Sequence, residues 1–262
     1  MENRITSLFK RKDKKILSVY FTAGYPELND TEEIISELER CGADLIEIGM
    51  PFSDPVADGP VIQQSSGRAL INGMTINLLF GQLKEIREKI SIPLILMGYL
   101  NPVMQYGIVE FCRKCRETGI DGTIIPDLPL EIYEAEYKQT FEENSLSNIF
   151  LVTPQTPDER IRKIDALSTG FIYLVSSSST TGVKGAVSGD QIAYFERIRK
   201  MNLKSKLLIG FGISDNESFA RASDYANGAI IGSAFIKALE GNESIKSKVS
   251  AFMLKFHKTS FE

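Results

Sequence analysis

Short runs rich in Ile, Leu and Val recur along the chain. They are ILSVYFT (16–22), DLIEIG (44–49), PLILMG (93–98), GTIIP (122–126), NIFLVT (148–153), GFIYLVS (170–176), KLLIGFG (206–212) and GAIIGS (228–233). Between them lie longer stretches in which apolar positions return every three or four residues: 30–41, 76–90, 109–119, 130–144, 158–168 and 191–201. The first pattern predicts strands and the second helices, because a strand repeats its faces every two residues and a helix every 3.6 or so. Most strand runs hold too few polar residues for a sheet with one wet face, so they are buried on both sides, as parallel strands are. Eight strand–helix units in 262 residues fit a closed (β/α)8 TIM barrel better than an open doubly wound sheet. An extra helix precedes the first strand, its end marked by the basic cluster Lys10–Lys15. No linker, low-complexity segment or composition break divides residues 1–262, which read as a single barrel domain.

A barrel of this kind carries its chemistry at the C-terminal strand ends and the loops that follow them. Two such loops are unusually long, MPFSDPVADGP (50–60) and SSSSTTGVKGAVSG (176–189). Long loops in compact domains are usually lids or binding loops. Within DLIEIG, alternation puts Leu45, Glu47 and Gly49 on one face and Ile46 and Ile48 on the other. Gly49 is expected to leave open space above Glu47. A carboxylate there is partly desolvated and its pKa raised toward the range useful for proton transfer. The alternative, a structural acid paired with an Arg or Lys, fits the position less well. Asp58 in the following loop by itself suits a plain turn. Beside Glu47 it supplies a second carboxylate in a different environment, and such pairs split acid and base roles.

Composition narrows the chemistry. Hydrophobic residues at 43% and charged residues at 24% are those of an ordinary globular protein. With 30 Lys+Arg against 34 Asp+Glu, the net charge of −4 gives no overall electrostatic case for nucleic acid or an anionic membrane. The single histidine, His257, lies near the chain end, which argues against a histidine-built metal centre or a Ser/His/Asp triad. Acid–base work falls to carboxylates, tyrosine or lysine. Cys112 and Cys115 form a C-x-x-C inside an amphipathic helical stretch without a second pair, so they read as packed helix residues rather than a zinc or redox site. With no signal-peptide-like start and no run of membrane length, the protein is expected to be cytoplasmic.

Other strand ends offer binding groups. Tyr173 fits either a barrel-core aromatic with a satisfied hydroxyl or an active-site group. Gly210-Phe211-Gly212 ends the seventh strand, and Gly232-Ser233 ends the eighth and opens a helix. Glycines allow close backbone approach and a helix start offers N–H groups, so these two loops form the recurrent phosphate site of the fold. Thr181-Gly182 in the long sixth loop is placed to close over the same phosphate.

GADLIEIGMPFSDPVADGPVIQQSS (42–66) resembles the signature segment of the tryptophan synthase alpha chain family. The resemblance continues through FTAGYP (21–26), LMGYLNP (96–102), PDLP (126–129), TGVKG (181–185), GFGIS (210–214) and GAIIGSA (228–234). It implies a lyase that cleaves indole-3-glycerol phosphate to indole and glyceraldehyde 3-phosphate, with Glu47 and Asp58 as the paired carboxylates. Protonated at C3, indole is itself an electron sink, so neither a Schiff-base lysine nor a metal is required. Asp58 would hold the indole N–H while Glu47 shuttles the proton between the hydroxyl and C3. Phe21, Tyr99, Leu100, Ile124 and Ile230 are expected as apolar walls. By resemblance Tyr173 and Phe211 line the pocket, and Thr181, Gly182, Gly212, Gly232 and Ser233 serve the phosphate end.

The resemblance further implies a beta chain partner in an alpha2beta2 assembly. That partner carries the pyridoxal phosphate, while this chain needs no cofactor or metal of its own. Docking is expected on the catalytic face through Asp54, Pro55, Asn101, Pro102 and Pro129, read as exposed turn residues. Closure of the sixth loop is expected to bring Thr181 to Asp58. The family usually has a glycine and an apolar residue where Ser179 and Thr180 stand here. Other phosphosugar barrels fit less well, since neither a half-barrel repeat nor strand-end catalytic lysines are present. A purely regulatory partner is disfavoured by the presence of both carboxylates.

Overall fold

The computed structural model describes residues 3–176, 189–210 and 212–257. Thr181, Gly182 and Phe211, together with Ser179 and Thr180, lie outside the described residues. Eight parallel strands close in sequence order into one barrel: β1 (Ile16–Thr22), β2 (Leu45–Gly49), β3 (Leu94–Met97), β4 (Gly122–Ile124), β5 (Ser147–Val152), β6 (Phe171–Val175), β7 (Lys206–Gly210) and β8 (Gly228–Ile231). Each corresponds to one of the apolar runs: β1 matches its run, β5 begins one residue before its run, and the others are trimmed at one or both ends. The last seam, β1 with β8, aligns Ser18 with Ile230 and closes the ring.

Helices cover the outside: α1 (Arg4–Arg11), α2 (Thr31–Arg40), α3 (Pro60–Ile71), α4 (Ile76–Gln82), α5 (Leu100–Tyr106), α6 (Ile108–Thr118), α7 (Leu130–Ile132), α8 (Lys138–Glu143), α9 (Asp158–Leu167), α10 (Gly189–Lys200), α11 (Asn216–Tyr225), α12 (Ser233–Ala238) and α13 (Ile245–His257). Two expected helices are broken. The stretch 76–90 ends its α-helix at Gln82 and continues as a short 3-10 turn, Ile86–Glu88; Gly81 weakens its final turn. The stretch 130–144 is interrupted by a wide turn at Tyr133–Tyr137. The helix α3 begins where the long second loop was expected to end, with Pro60 at its first position, the place a missing N–H costs nothing.

Two layers of apolar side chains result. The barrel interior holds Ile16, Leu45, Ile95, Ile124, Ile149, Phe171, Leu208 and Ile230, closed at the N-terminal mouth by Ile5, Leu8 and Phe9 of α1. That helix is started by a reciprocal Asn3–Thr6 capping box. At the same mouth Asp121, almost fully buried, accepts from Arg87 at 2.6 Å, Arg4 at 3.1 Å and the Leu94 N–H at 3.0 Å. A larger cluster joins strands to helices and includes Cys112 and Cys115 on the inner side of α6. Burial pushes the Cys112 thiol up to about 12 and Cys115 well above its ordinary value, so both are packed, weakly acidic thiols. With one mouth plugged by α1 and ion pairs, chemistry is left to the other.

Candidate active site

Glu47 stands at the centre of β2 and is fully buried. Its alternation partner Leu45 belongs to the interior cluster, whereas Ile46 and Ile48 pack outward, as the strand period requires. Ser18 of β1 donates to Glu47 Oε1 at 2.8 Å, while Oε2 has no partner among the described residues. Burial raises the carboxyl from 4.5 to about 8, with the Ser18 hydrogen bond opposing that rise. At neutral pH the group therefore rests mainly as the acid.

The space above Glu47 is not open. An atom added at the Cβ position of Gly49 would lie 2.2 Å from the Tyr20 hydroxyl, so the tyrosine fills the room the glycine leaves. Gly210 does the same for Tyr173, whose hydroxyl lies 2.0 Å from that glycine's Cβ position. Both phenols are held above their ordinary pKa, first by burial and then by the charges of Asp58 and Glu47. The two carboxylates thus converge on the same pair of neutral hydroxyls.

Asp58 reaches the site from the loop between β2 and α3. The turn is closed by its N–H donating to the Pro55 carbonyl at 3.0 Å, and Gln63 holds the Asp58 carbonyl at 2.9 Å. Tyr99, at the start of α5, donates its hydroxyl proton to Asp58 Oδ2 at 3.1 Å and accepts from the Ala57 N–H at 3.1 Å. Burial raises the Asp58 carboxyl and the Tyr99 hydrogen bond opposes it. Tyr99 is therefore a polar clamp on Asp58, and its ring, which lines the cleft, lies 5.2 Å from that of Phe52 at a tilt of 32°. A narrow cleft of about 10 Å³ opens here, lined by Tyr20, Asp58, Tyr99, Phe52, Met97 and Pro126 among others.

The remaining expected residues divide. Ile124, Ile230 and Tyr173 belong to the interior cluster. Phe21 does not: it is fully buried in the outer cluster, because Ser18, Tyr20 and Thr22 share the inward parity of β1 and Phe21 alternates away from it. Tyr20 occupies the position expected of Phe21. The polar residues alternating through ILSVYFT were the signal, since a row of hydroxyls in a strand buried on both sides needs an inner partner. Leu100 is half-buried at the start of α5 beside the outer cluster, and its N–H donates to Asp127 at 2.8 Å; it is not among the cleft residues. At the other side Gly212 adopts a left-handed φ of +77° with open space about it, and Gly232 directly precedes α12 and Ser233. Pro55, expected to be exposed, is buried and lines the cleft, drawn in by the turn that its carbonyl closes. Asp54, Asn101 and Pro129 are exposed and Pro102 is half-buried. Among the described residues no helix is long and apolar enough to cross a membrane, and no cluster of three or more His, Cys, Asp or Glu is placed to hold a metal.

The family model of the tryptophan synthase alpha chain matches residues 7–260. A tryptophan synthase alpha chain of Flavobacterium psychrophilum is 60% identical over 96% of this chain and 98% of its own, and one of Phocaeicola vulgatus is 54% identical over 96% and 98%. Among solved structures, the alpha subunit from Legionella pneumophila superposes with a TM-score of 0.87 at 33% identity, covering 98% of this chain and 97% of that one. A chain of the tryptophan synthase complex from Pyrococcus furiosus gives 0.85 at 33% identity, over 94% and 98%. The chain belongs to the tryptophan synthase alpha chain family, lyases that cleave indole-3-glycerol phosphate in tryptophan biosynthesis.

Proposed function

We propose that Glu47 and Asp58 carry out this cleavage as an acid–base pair. The observation that carries the reading is a fully buried carboxyl, raised to about 8, with one oxygen held and the other unpartnered among the described residues. Glu47 starts as the acid and gives its proton to indole C3. Positive charge then develops on the ring nitrogen, whose N–H is held by ionised Asp58, itself oriented by Tyr99. The bond between C3 and the carbinol carbon breaks, and its electrons return to the ring to restore aromatic indole. The carbinol becomes the aldehyde of glyceraldehyde 3-phosphate as its hydroxyl proton passes to Glu47. The residue has given one proton and recovered one. Preorganised charges of this kind act strongly in a dry site.

Tyr20, Tyr173, Ile124 and Ile230 frame the ring, with Tyr20 taking the place expected of Phe21. The phosphate end belongs to Gly212, Gly232 and Ser233, where backbone N–H groups at a helix start have no intrahelical acceptor. By family resemblance Thr181, Gly182 and Phe211 complete it. The whole chain works as one cytoplasmic barrel domain and docks on a beta chain as alpha2beta2 through the exposed loops around Asp54, Asn101 and Pro129. The beta chain supplies the pyridoxal phosphate chemistry that consumes indole. Release of indole from indole-3-glycerol phosphate by the purified protein, alone and with its cognate beta chain, tests the reading. Turnover that survives in Glu47→Gln would overturn the assignment of the acid.

A further inference from the structure

Among the described residues, only one of the two carboxyl oxygens of Glu47 has a partner. Oε1 accepts from Ser18 Oγ at 2.8 Å, both residues are fully buried, and Oε2 has no partner among the described residues. A serine hydroxyl owns a single proton. When that proton goes to Oε1, this oxygen is the carbonyl-like acceptor of the acid, and the carboxyl's own proton resides on Oε2. In the reverse arrangement Oε1 carries the proton and engages it with the serine, so a proton free to leave for a substrate sits on Oε2, the oxygen with no partner among the described residues.

We propose that Ser18 is the positioning residue of the catalytic acid: its hydroxyl selects Oε2 of Glu47 as the proton-carrying oxygen and holds the carboxyl so that this oxygen meets the substrate carbon. The proposal rests on the reading of Glu47 as the acid. Ser18 lies opposite Leu45 in register, one inward position before the Tyr20–Glu47 pair, so β1 supplies the holder and β2 the acid. The titratable groups that act on the same region are Tyr20 from β1, Tyr173 from β6 and Asp58 from the loop after β2. Burial keeps both phenols neutral, and Ile95 of β3, opposite Glu47 in register, is apolar. Among the described residues Ser18 is thus the hydrogen-bond donor to Glu47, and its hydrogen bond works against the burial that raises the carboxyl. Its loss drives that carboxyl further up.

The test is carbon-13 NMR titration of the full chain labelled at the glutamate carboxyl carbon, with cleavage of indole-3-glycerol phosphate followed over the same pH range. Wild type should show a glutamate resonance titrating near pH 8 that is missing from Glu47→Gln. In Ser18→Ala it should titrate about one unit higher, the alkaline limb of kcat/KM should move up with it, and kcat should fall about tenfold. KM should change by about twofold at most. Ser18→Thr, which keeps the hydroxyl, should restore both midpoint and kcat. A serine that merely fills space would lower kcat without moving the titration. An unmoved or lowered midpoint in Ser18→Ala, or an unchanged kcat, overturns the proposal. A wild type without the high-titrating resonance overturns the reading of Glu47 instead, so the two failures are distinct. Should Ser18→Ala not fold, Ser18→Cys, a weaker donor of similar size, reads the same titration; a smaller upward shift supports the proposal and none overturns it.

Discussion

Glu47→Gln exchanges one carboxyl oxygen for an amide nitrogen and leaves the side-chain volume almost unchanged, so it isolates the proton from the packing. Wild-type Glu47 is raised from 4.5 to about 8 in the folded chain, so between those values the folded state holds a proton that the unfolded state has released. Stability from this group is fully present below the unfolded value and is lost as pH rises toward the folded one. At about 1.36 kcal/mol per unit, the whole loss is about 5 kcal/mol, of which about 3 kcal/mol is gone by pH 7. Glutamine carries no such pH dependence. Its amide stands where Oε2 had no partner, and an unsatisfied buried donor costs about 1–3 kcal/mol at every pH. The two effects separate because only one of them varies with pH.

Urea unfolding of wild type and Glu47→Gln from pH 5.5 to 8.5 reads the difference directly, with equal m-values as the check on a common unfolded state. The stability of the variant relative to wild type should rise by about 3 kcal/mol between pH 5.5 and 8. Turnover should fall by about 10²–10⁴ in the same protein. Parallel stability curves would refute the buried, raised carboxyl. A variant that stays active would refute its role. Finding both changes together would show that the catalytic acid is kept at a cost to the fold.

Tyr99→Phe removes the donor to Asp58 and leaves the Ala57 N–H without its acceptor; the Asp58 carboxyl should rise, the acid limb of kcat/KM should move to higher pH, and steady-state kinetics at neutral pH should show roughly a tenfold loss. Gly49→Ala places a methyl 2.2 Å from the Tyr20 hydroxyl and 2.7 Å from the ring carbon bearing it, so the ring must move. Denaturation should show a cost of about 1–3 kcal/mol, with kcat/KM falling in parallel because that ring lines the cleft with Asp58. Asp121→Asn leaves the Arg87 guanidinium, hydrogen-bonded to Asp121 at 2.6 Å, without its buried counter-charge; unfolding should show about 3–5 kcal/mol lost. The pH profile of cleavage should not move, since Asp121 sits at the plugged mouth.

The barrel was legible because its strands are buried on two faces, which forces an apolar run at every strand and leaves little else that parallel strands can be. Glu47 was legible for the same reason: a lone carboxylate in an apolar run cannot be a surface residue, and its parity with Leu45 followed from the strand period. Parity failed at β1, where Tyr20 and Phe21 are adjacent aromatics and either can pass for a pocket wall. Ser18 and Thr22 decide between them, but only once the hydroxyl row is seen to share a face with Glu47 across the β1–β2 register. Gly49 and Tyr99 lay further out of reach. The glycine leaves space in its own strand, and a side chain from the neighbouring strand takes it. Tyr99 meets Asp58 across 41 residues of sequence, so a tyrosine that reads locally as apolar wall becomes a hydrogen-bond donor through the closure of the barrel. Strand period and local composition single out the residue proposed as the acid. The groups that set its proton affinity and orientation come from neighbouring strands and loops, and only the folded register brings them to it.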